Sequence, residues 1–350
     1  MPASRLTRPR SWQICRNNKG DRRRDLSPFT SLFGSIERLL IMINELWHGR
    51  RYYSLGSYIK NTFGEKLYKI PLSAVSTCPN RDGKAGVGGC IFCSTKGSGD
   101  YAGDVHLPVS EQIEQGKKFV GEGFSGGRYI AYFQSFTSTY APVEYLKKQF
   151  TEAIDHPEVA LLSVATRPDC LEQEKLQLLS EMNRIKPVWV ELGLQTSKAE
   201  TIDLINRCYD NSVYSHAMEE LNRRGIETVT HLIIGLPNET EEDMQNSLRF
   251  AVNCGTKGVK LQLLHVLEGT PLHEMYLSGD YCVLSEEEYV GIVGRLIEHL
   301  PPDIVIHRLT GDGPKDILVA PDWSTHKRNV LNHIHRYLKE HDTYQGREIR

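Results

Sequence analysis

The chain has 350 residues, is 39% hydrophobic and carries 42 Lys+Arg against 44 Asp+Glu, for a net charge of -2. That balance belongs to a folded protein; it excludes collagen-like, mucin-like and largely disordered classes, and a chain basic enough to bind nucleic acid by bulk charge. The longest apolar runs are about ten residues, half the ~20 that a membrane-spanning helix needs.

The first 41 residues hold eight Arg and one Lys against three acids. They show no helical or strand periodicity and lack the apolar core of a secretory signal. They read as a disordered or non-native basic extension ahead of a start at Met42, with an Arg-rich transit peptide as the alternative. From Tyr68 onward, strand-like runs alternate with helical stretches. The runs 68–77, 129–134, 159–166, 188–196, 229–237 and 259–266 are mostly continuous in apolar residues, as in strands buried on both faces of a parallel sheet. Helical patterns fill 142–155, 171–185, 198–224, 239–253 and 286–299. Ser285 with Glu288 has the spacing of a capping box, and Gly225 and Gly255 stand where helix-ending glycines belong. After the second strand, starts are 30, 29, 41 and 30 residues apart, the length of a βα repeat. The pattern predicts an α/β fold, a partial (β/α)6 TIM-like barrel over 42–300 with its chemistry at the C-terminal strand ends. Residues 301–350, which include a helical stretch over 326–340, read as a C-terminal α/β appendage packed on that barrel.

Of the eight cysteines, Cys15, Cys170, Cys208, Cys254 and Cys282 are scattered and read as small buried hydrophobes. Cys78, Cys90 and Cys93 instead fall together in CPNRDGKAGVGGCIFCS, directly after the first strand. A CxxC pair puts two thiolates on one tight turn, and the Gly-rich stretch before it lets the chain curl so that Cys78 can join them. Three soft ligands are one short of a closed zinc site. Three thiolates can hold a 4Fe–4S cluster that keeps one iron open. Zinc completed by a remote His and three unrelated buried cysteines are the alternatives.

The wording CPNRDG…GGC.FCS followed by GSGDYAG (97–103) resembles the radical S-adenosylmethionine (SAM) superfamily. Within it, the chain is similar to a bacterial family akin to the radical-SAM half of the Elongator catalytic subunit, over roughly residues 45–340. The resemblance implies a barrel of the radical SAM type with a 4Fe–4S cluster on Cys78, Cys90 and Cys93. Its open iron would chelate SAM, which one electron cleaves to methionine and a 5′-deoxyadenosyl radical. The resemblance also implies contacts to SAM at the strand ends. Gln134 and Ser135 stand where many relatives carry Gly-Gly-Glu to hold the methionine amine, and Arg167 would pair with the methionine carboxylate. Glu191 and Gln195 would meet ribose hydroxyls, a charge inside an apolar strand being costly without a partner. Ile233 and Gly235, in HLIIGLP, would lie beside adenine.

Gram-positive members of this family look like the enzyme of transfer-RNA wobble-uridine maturation that acts on the carboxymethylaminomethyl group. That implies a cytoplasmic enzyme with tRNA as substrate, a flavodoxin- or ferredoxin-type electron donor, no membrane, and a downstream tRNA methyltransferase. A small metabolite or tetrapyrrole is the alternative substrate. Candidate substrate-facing residues are His265, Glu268, His307, Arg308 and Asp312, each equally able to cap a loop. The basic positions Lys147, Lys148, Arg223, Arg224, Lys257, Lys260, Lys327 and Arg328 would serve RNA only if several shared one face.

Overall fold

The apolar runs become strands. The computed structural model describes residues 45–349 except 98, 124 and 312, so the basic extension and Asp312 lie outside the described residues. Strands β1 (Leu67–Leu72), β2 (Arg128–Phe133), β3 (Val159–Thr166), β4 (Val188–Gln195), β5 (Glu227–Ile234) and β6 (Gly258–Leu263) pair in chain order, all parallel. All eight residues of β3 are buried, because helices cover one face of the sheet and the interior of the curl covers the other. β1 is shorter than its apolar run. The Gln112 side chain takes both the N–H (2.9 Å) and the carbonyl (3.1 Å) of Ser73, which ends the ladder and releases the chain into the cysteine loop.

The segment read as an appendage supplies part of the main sheet. After β7 (Val266–Leu267), strand β8 (Val305–Arg308) pairs parallel with β6 and makes the curled sheet seven-stranded. β9 (Leu318–Ala320) pairs antiparallel with β7 beside it. The helices α9 (Glu286–Glu298) and α10 (Lys327–Glu340) pack on each other, and α9 begins with the expected capping box between Ser285 and Glu288. Gly225 and Gly255 both take positive φ just past a helix end.

The stretch 198–224 is two helices, α5 (Ala199–Leu204) and α6 (Asn211–Arg223). The reason is tertiary. Arg207 between them is 1% exposed and donates to the carbonyls of Leu194 (2.6 Å), Thr196 (2.8 Å) and Tyr209 (2.8 Å) and to Asn211 Oδ1 (2.9 Å). Those bonds outweigh the helix propensity of the segment, and Asn206 and Cys208 adopt left-handed φ to allow them. A first helix, α1 (Leu55–Phe63), brings Ile59 against Ile130, Leu161 and Trp189 in the first halves of β2, β3 and β4. This apolar layer packs across the N-terminal half of the curl.

Candidate cofactor and substrate cavity

The cysteine loop is fixed from two sides. Arg81 donates to the carbonyls of Cys93 (3.2 Å), Ser94 and Thr95 (3.2 Å), and its guanidinium lies 5.5 Å from the Phe136 ring centroid. Asn206, in the break between α5 and α6, donates to the carbonyls of Val87 (3.1 Å) and Gly89 (2.8 Å). Gly97 and Gly99 of this segment then pack just past the end of β2. A Cβ on Gly97 would sit 2.2 Å from the Phe136 ring and one on Gly99 2.8 Å from the Ser135 side chain, so this approach requires glycine.

Held this way, Cys78, Cys90 and Cys93 all line one cavity of about 480 Å3 at the C-terminal strand ends. Thr137 Oγ1 donates to Cys78 Sγ (3.3 Å) and Asn80 Nδ2 to Cys90 Sγ (3.6 Å), which favours negative charge on both sulfurs. Burial and the neighbouring thiols push Cys90 up to about 12, so a bound metal there displaces a proton. The donor set fits an iron–sulfur cluster better than zinc. Among the described residues, the one trio of His, Cys, Asp or Glu ligand atoms within 4.8 Å of one another is Glu114, His156 and Glu158, and Lys117 already pairs with both its carboxylates. The three sulfurs therefore do not all lie within 4.8 Å of one another, so at least one pair stands wider than the ~3.8 Å imposed by a tetrahedral centre with Zn–S bonds of about 2.3 Å.

Gln134, Arg167, Glu191, Gln195 and Ile233 line the same cavity. Ser135 and Gly235 do not. Ser135 is buried with its Oγ 2.5 Å from Ser73 Oγ, and the Gly235 carbonyl accepts from Tyr281 (2.8 Å). Two side-chain roles need correction. The Nε–Nη2 edge of Arg167 is taken by Asp169 at 2.9 and 2.8 Å, so that edge cannot grip a methionine carboxylate. Burial opposes the Arg167 charge, but Asp169 outweighs it and holds the guanidinium above its ordinary pKa. Glu191 is also committed. Its carboxylate, fully buried, accepts from Lys69 (3.1 Å), Lys260, His231 (2.7 Å) and Ser163 (2.8 Å), which fills its acceptor sites and leaves none for a ribose.

Of the substrate-facing candidates, His265 and Arg308 line the cavity. Glu268 is exposed outside it. His307 faces the small cavity of about 270 Å3 at the N-terminal strand ends, edge-on to Trp189. The basic positions do not gather on one face: Lys260 is inside the curl, Lys257 lines the opposite cavity, and Arg223 and Arg224 pair with Glu220. The sequence reading passed over Lys69, Tyr132, Arg207 and Tyr209, all of which line the cavity. Lys69 was visible in principle as a lone charge inside the run YKIPL.

His231 gives the site a pH dependence. Burial, with Lys260 beside it, outweighs its bond to Glu191 and pushes the imidazole down to about 4. Unfolded, it titrates near 6.5, so the unfolded chain takes the proton first. The stability His231 contributes by staying neutral is complete above pH 6.5 and lost as pH falls toward 4. Glu239, lifted by burial to about 7, has the opposite slope, which makes a difference measurement necessary. In urea unfolding at pH 7 and pH 4.5, wild type is expected to lose about 2 kcal/mol more than His231→Gln. Parallel losses in the two proteins would remove this role.

A curled parallel sheet with three thiols lining a cavity at its C-terminal strand ends is the arrangement of an α/β enzyme able to hold a metal cofactor on thiolates. Residues 77–251 match the Radical SAM superfamily and residues 256–340 the Radical_SAM C-terminal domain, and the chain belongs to the radical SAM superfamily. It is thus a radical SAM enzyme, of a family that uses a 4Fe–4S cluster and SAM. It is 40% identical to the Bacillus subtilis (strain 168) protein YtqA over 85% of this chain and 92% of that one. It is 28% identical to the tRNA uridine(34) acetyltransferase of Methanocaldococcus jannaschii over 55% of this chain and 35% of that protein. The archaeal Methanocaldococcus infernus Elp3 structure, with an N-terminal deletion (1-46), shares the fold. Its TM-score is 0.60 at 17% identity, covering 80% of this chain and 64% of that one. Among the described residues no helix is long and apolar enough to cross a membrane.

Proposed function

We propose that this enzyme acts on the wobble uridine of tRNA and converts its 5-carboxymethylaminomethyl side arm to the 5-aminomethyl form. The observation that carries the reading is the larger cavity at the C-terminal strand ends, with the cysteine loop and polar strand ends along its wall. Likeness to a tRNA uridine(34) acetyltransferase supports the choice of substrate. When bound, the cluster and SAM supply a radical able to take hydrogen from carbon, which suits C–H bonds flanking a secondary amine that ordinary bases leave untouched.

The chain's own groups then bind and orient. Cys78, Cys90 and Cys93 hold the cluster. Gln134 receives the methionine amine, and Nη1 of Arg167, on the side away from Asp169, reaches the methionine carboxylate. Gln195, whose Oε1 accepts from Tyr209 (3.2 Å), presents its amide to the ribose, and Ile233 packs on adenine. Ser135 and Gly235 shape this surface through their backbone. The apolar layer around Ile59 packs across the far end of the curl. The enzyme works in the cytoplasm with a flavodoxin- or ferredoxin-type donor, ahead of a tRNA methyltransferase.

Mass spectrometry of tRNA nucleosides from a strain lacking the protein tests this. The carboxymethylaminomethyl nucleoside is expected to accumulate and the aminomethyl one to disappear. Wild-type levels of both, with no compensating paralogue, would sink the reading and leave a small metabolite as the leading substrate.

A further inference from the structure

Glu191, His231 and Gln262 lie on the neighbouring strands β4, β5 and β6 and form a hydrogen-bond chain whose direction is set by the carboxylate. Burial opposes the charge of Glu191, but Lys260, Lys69 and His231 hold it well below the ordinary carboxylate range, so it can only accept. The hydrogen in its 2.7 Å contact with His231 therefore belongs to Nε2 of the imidazole. Burial, with Lys260 beside it, keeps that imidazole neutral near pH 7, so Nδ1 carries no hydrogen and can only accept. Nδ1 lies 3.4 Å from the Gln262 amide. With Oε1 turned toward it, two lone pairs would face each other; with Nε2 there, an N–H meets the ring. A carboxylate two strands away thus fixes which way the Gln262 amide points.

Gln262 is half-buried and lines the large cavity, opposite Ile233 in the register of β5 and β6. Beyond its contact with His231, its side chain makes no hydrogen bond among the described residues. Oε1 and the second hydrogen of Nε2 are left for a ligand. Gln195, by contrast, has its Oε1 already engaged by Tyr209. An acceptor and a donor side by side, in a fixed order, complement an edge that offers one N–H beside one carbonyl. An edge with the reverse order leaves both groups unpaired, and that costs more than the bonds would have gained.

We propose that Gln262 reads the imide edge of a uracil ring in the substrate, Oε1 accepting from N3–H and Nε2 donating to O4, and that His231, oriented by Glu191, is the positioning residue that sets the direction of the amide. This deepens the tRNA reading and, for the identity of the base, rests on it. Cytosine offers the reverse order, an acceptor at N3 beside a 4-amino donor, and matching it would turn Oε1 against the lone pair of Nδ1. Methylation at N3 removes the donor altogether. The side arm leaves C5, next to the gripped C4 carbonyl, so a base held at the level of Ile233 keeps its arm beside the cofactor.

Two measurements separate the proposals. In the first, reconstituted holoenzyme with SAM bound, so that nucleosides cannot take the cofactor's place, is dialysed to equilibrium against uridine, 3-methyluridine or cytidine. Wild type is expected to bind uridine about tenfold or more tighter than either of the others, the effect of one hydrogen bond lost and its partner left unpaired. Both ratios should fall toward one in Gln262→Leu. In His231→Leu the uridine-to-cytidine ratio should also fall toward one, with cytidine bound more tightly than by wild type because the amide can now turn. His231→Gln, whose own amide can donate to Glu191 and accept from Gln262, should keep the preference. Equal binding of the three nucleosides by wild type, no binding of any, unchanged ratios in Gln262→Leu, or loss of SAM in place of uridine in that variant overturns the role of Gln262. Weaker binding of both uridine and cytidine by His231→Leu, or an unchanged ratio, overturns the role of His231. In the second, the same holoenzyme is given tRNA bearing the carboxymethylaminomethyl arm. Uridine selectivity in the first measurement with no tRNA turned over keeps the imide site and removes the tRNA reading. Equal turnover of tRNA by wild type and Gln262→Leu keeps the tRNA reading and removes the imide site.

Discussion

Alanine at Cys78, Cys90 or Cys93 is expected to reduce bound iron to background and to end reductive SAM cleavage in anaerobically reconstituted protein. All three thiols line the same cavity, and the loop between them is held by Arg81, Asn80 and Asn206. Two thiolates leave a second iron of a 4Fe–4S cluster without a protein ligand, and the open iron is no longer unique. The control is Cys254→Ala. Cys254 ends a helix on the outer layer, where its sulfur meets Ser215 at 3.5 Å, and its loss removes one weak contact. Iron content and the broad absorbance near 400 nm expected of thiolate-bound clusters read the outcome. Loss of all iron in Cys254→Ala, or its retention in Cys90→Ala, would contradict the assignment of the three ligands.

The largest change in stability is expected from Glu191→Ala. Among the described residues Glu191 is the acid that pairs with Lys69 and Lys260 inside the curl, and the two lysines together with His231 hold it well below the ordinary carboxylate range against the pull of burial. Removing one partner of a buried ion pair leaves the other's charge uncompensated and costs about 3–5 kcal/mol. A cost of that size is a large share of a typical domain's total stability. Because the folded-state pKa is depressed, this stabilisation is present above the unfolded value of about 4.3 and is lost as pH falls below it. Urea unfolding near pH 7 measures the loss. The companion variant Lys69→Met/Glu191→Leu/Lys260→Met removes all three charges and is expected to recover much of it, since apolar groups of similar volume can replace a buried charge cluster. Equal destabilisation in the single and triple variants would show that shape, not charge, is what Glu191 contributes.

These two experiments probe features that differ in how far the sequence alone reveals them. The cysteine triad is local: sixteen residues of chain contain all three sulfurs and the glycines that let them converge, so spacing and residue type carry the information. The strands are similarly legible, because a strand buried on both faces must be apolar throughout, and runs such as VALLSVAT show it without reference to any partner. The capping box of Ser285 and Glu288 is a contact across three residues and was equally readable.

What only the tertiary structure decided involves partners far apart in the chain. Glu191 stood out as a charge in an apolar strand, but its cations come from Lys69 and Lys260, 122 and 69 residues away, and only the order of the sheet brings them together. The same carboxylate that the sequence offers to a ligand is thereby spent inside the protein. Arg167 lost half of its fork to Asp169, two residues on, through a turn whose shape no periodicity encodes. The break between α5 and α6 arises because Arg207 satisfies carbonyls of β4, an energy that helix propensity cannot anticipate. The seventh strand was hidden for the same reason. Val305–Arg308 is too short to stand out as a run, and it is a strand only because the open edge of β6 supplies the hydrogen bonds that fix it.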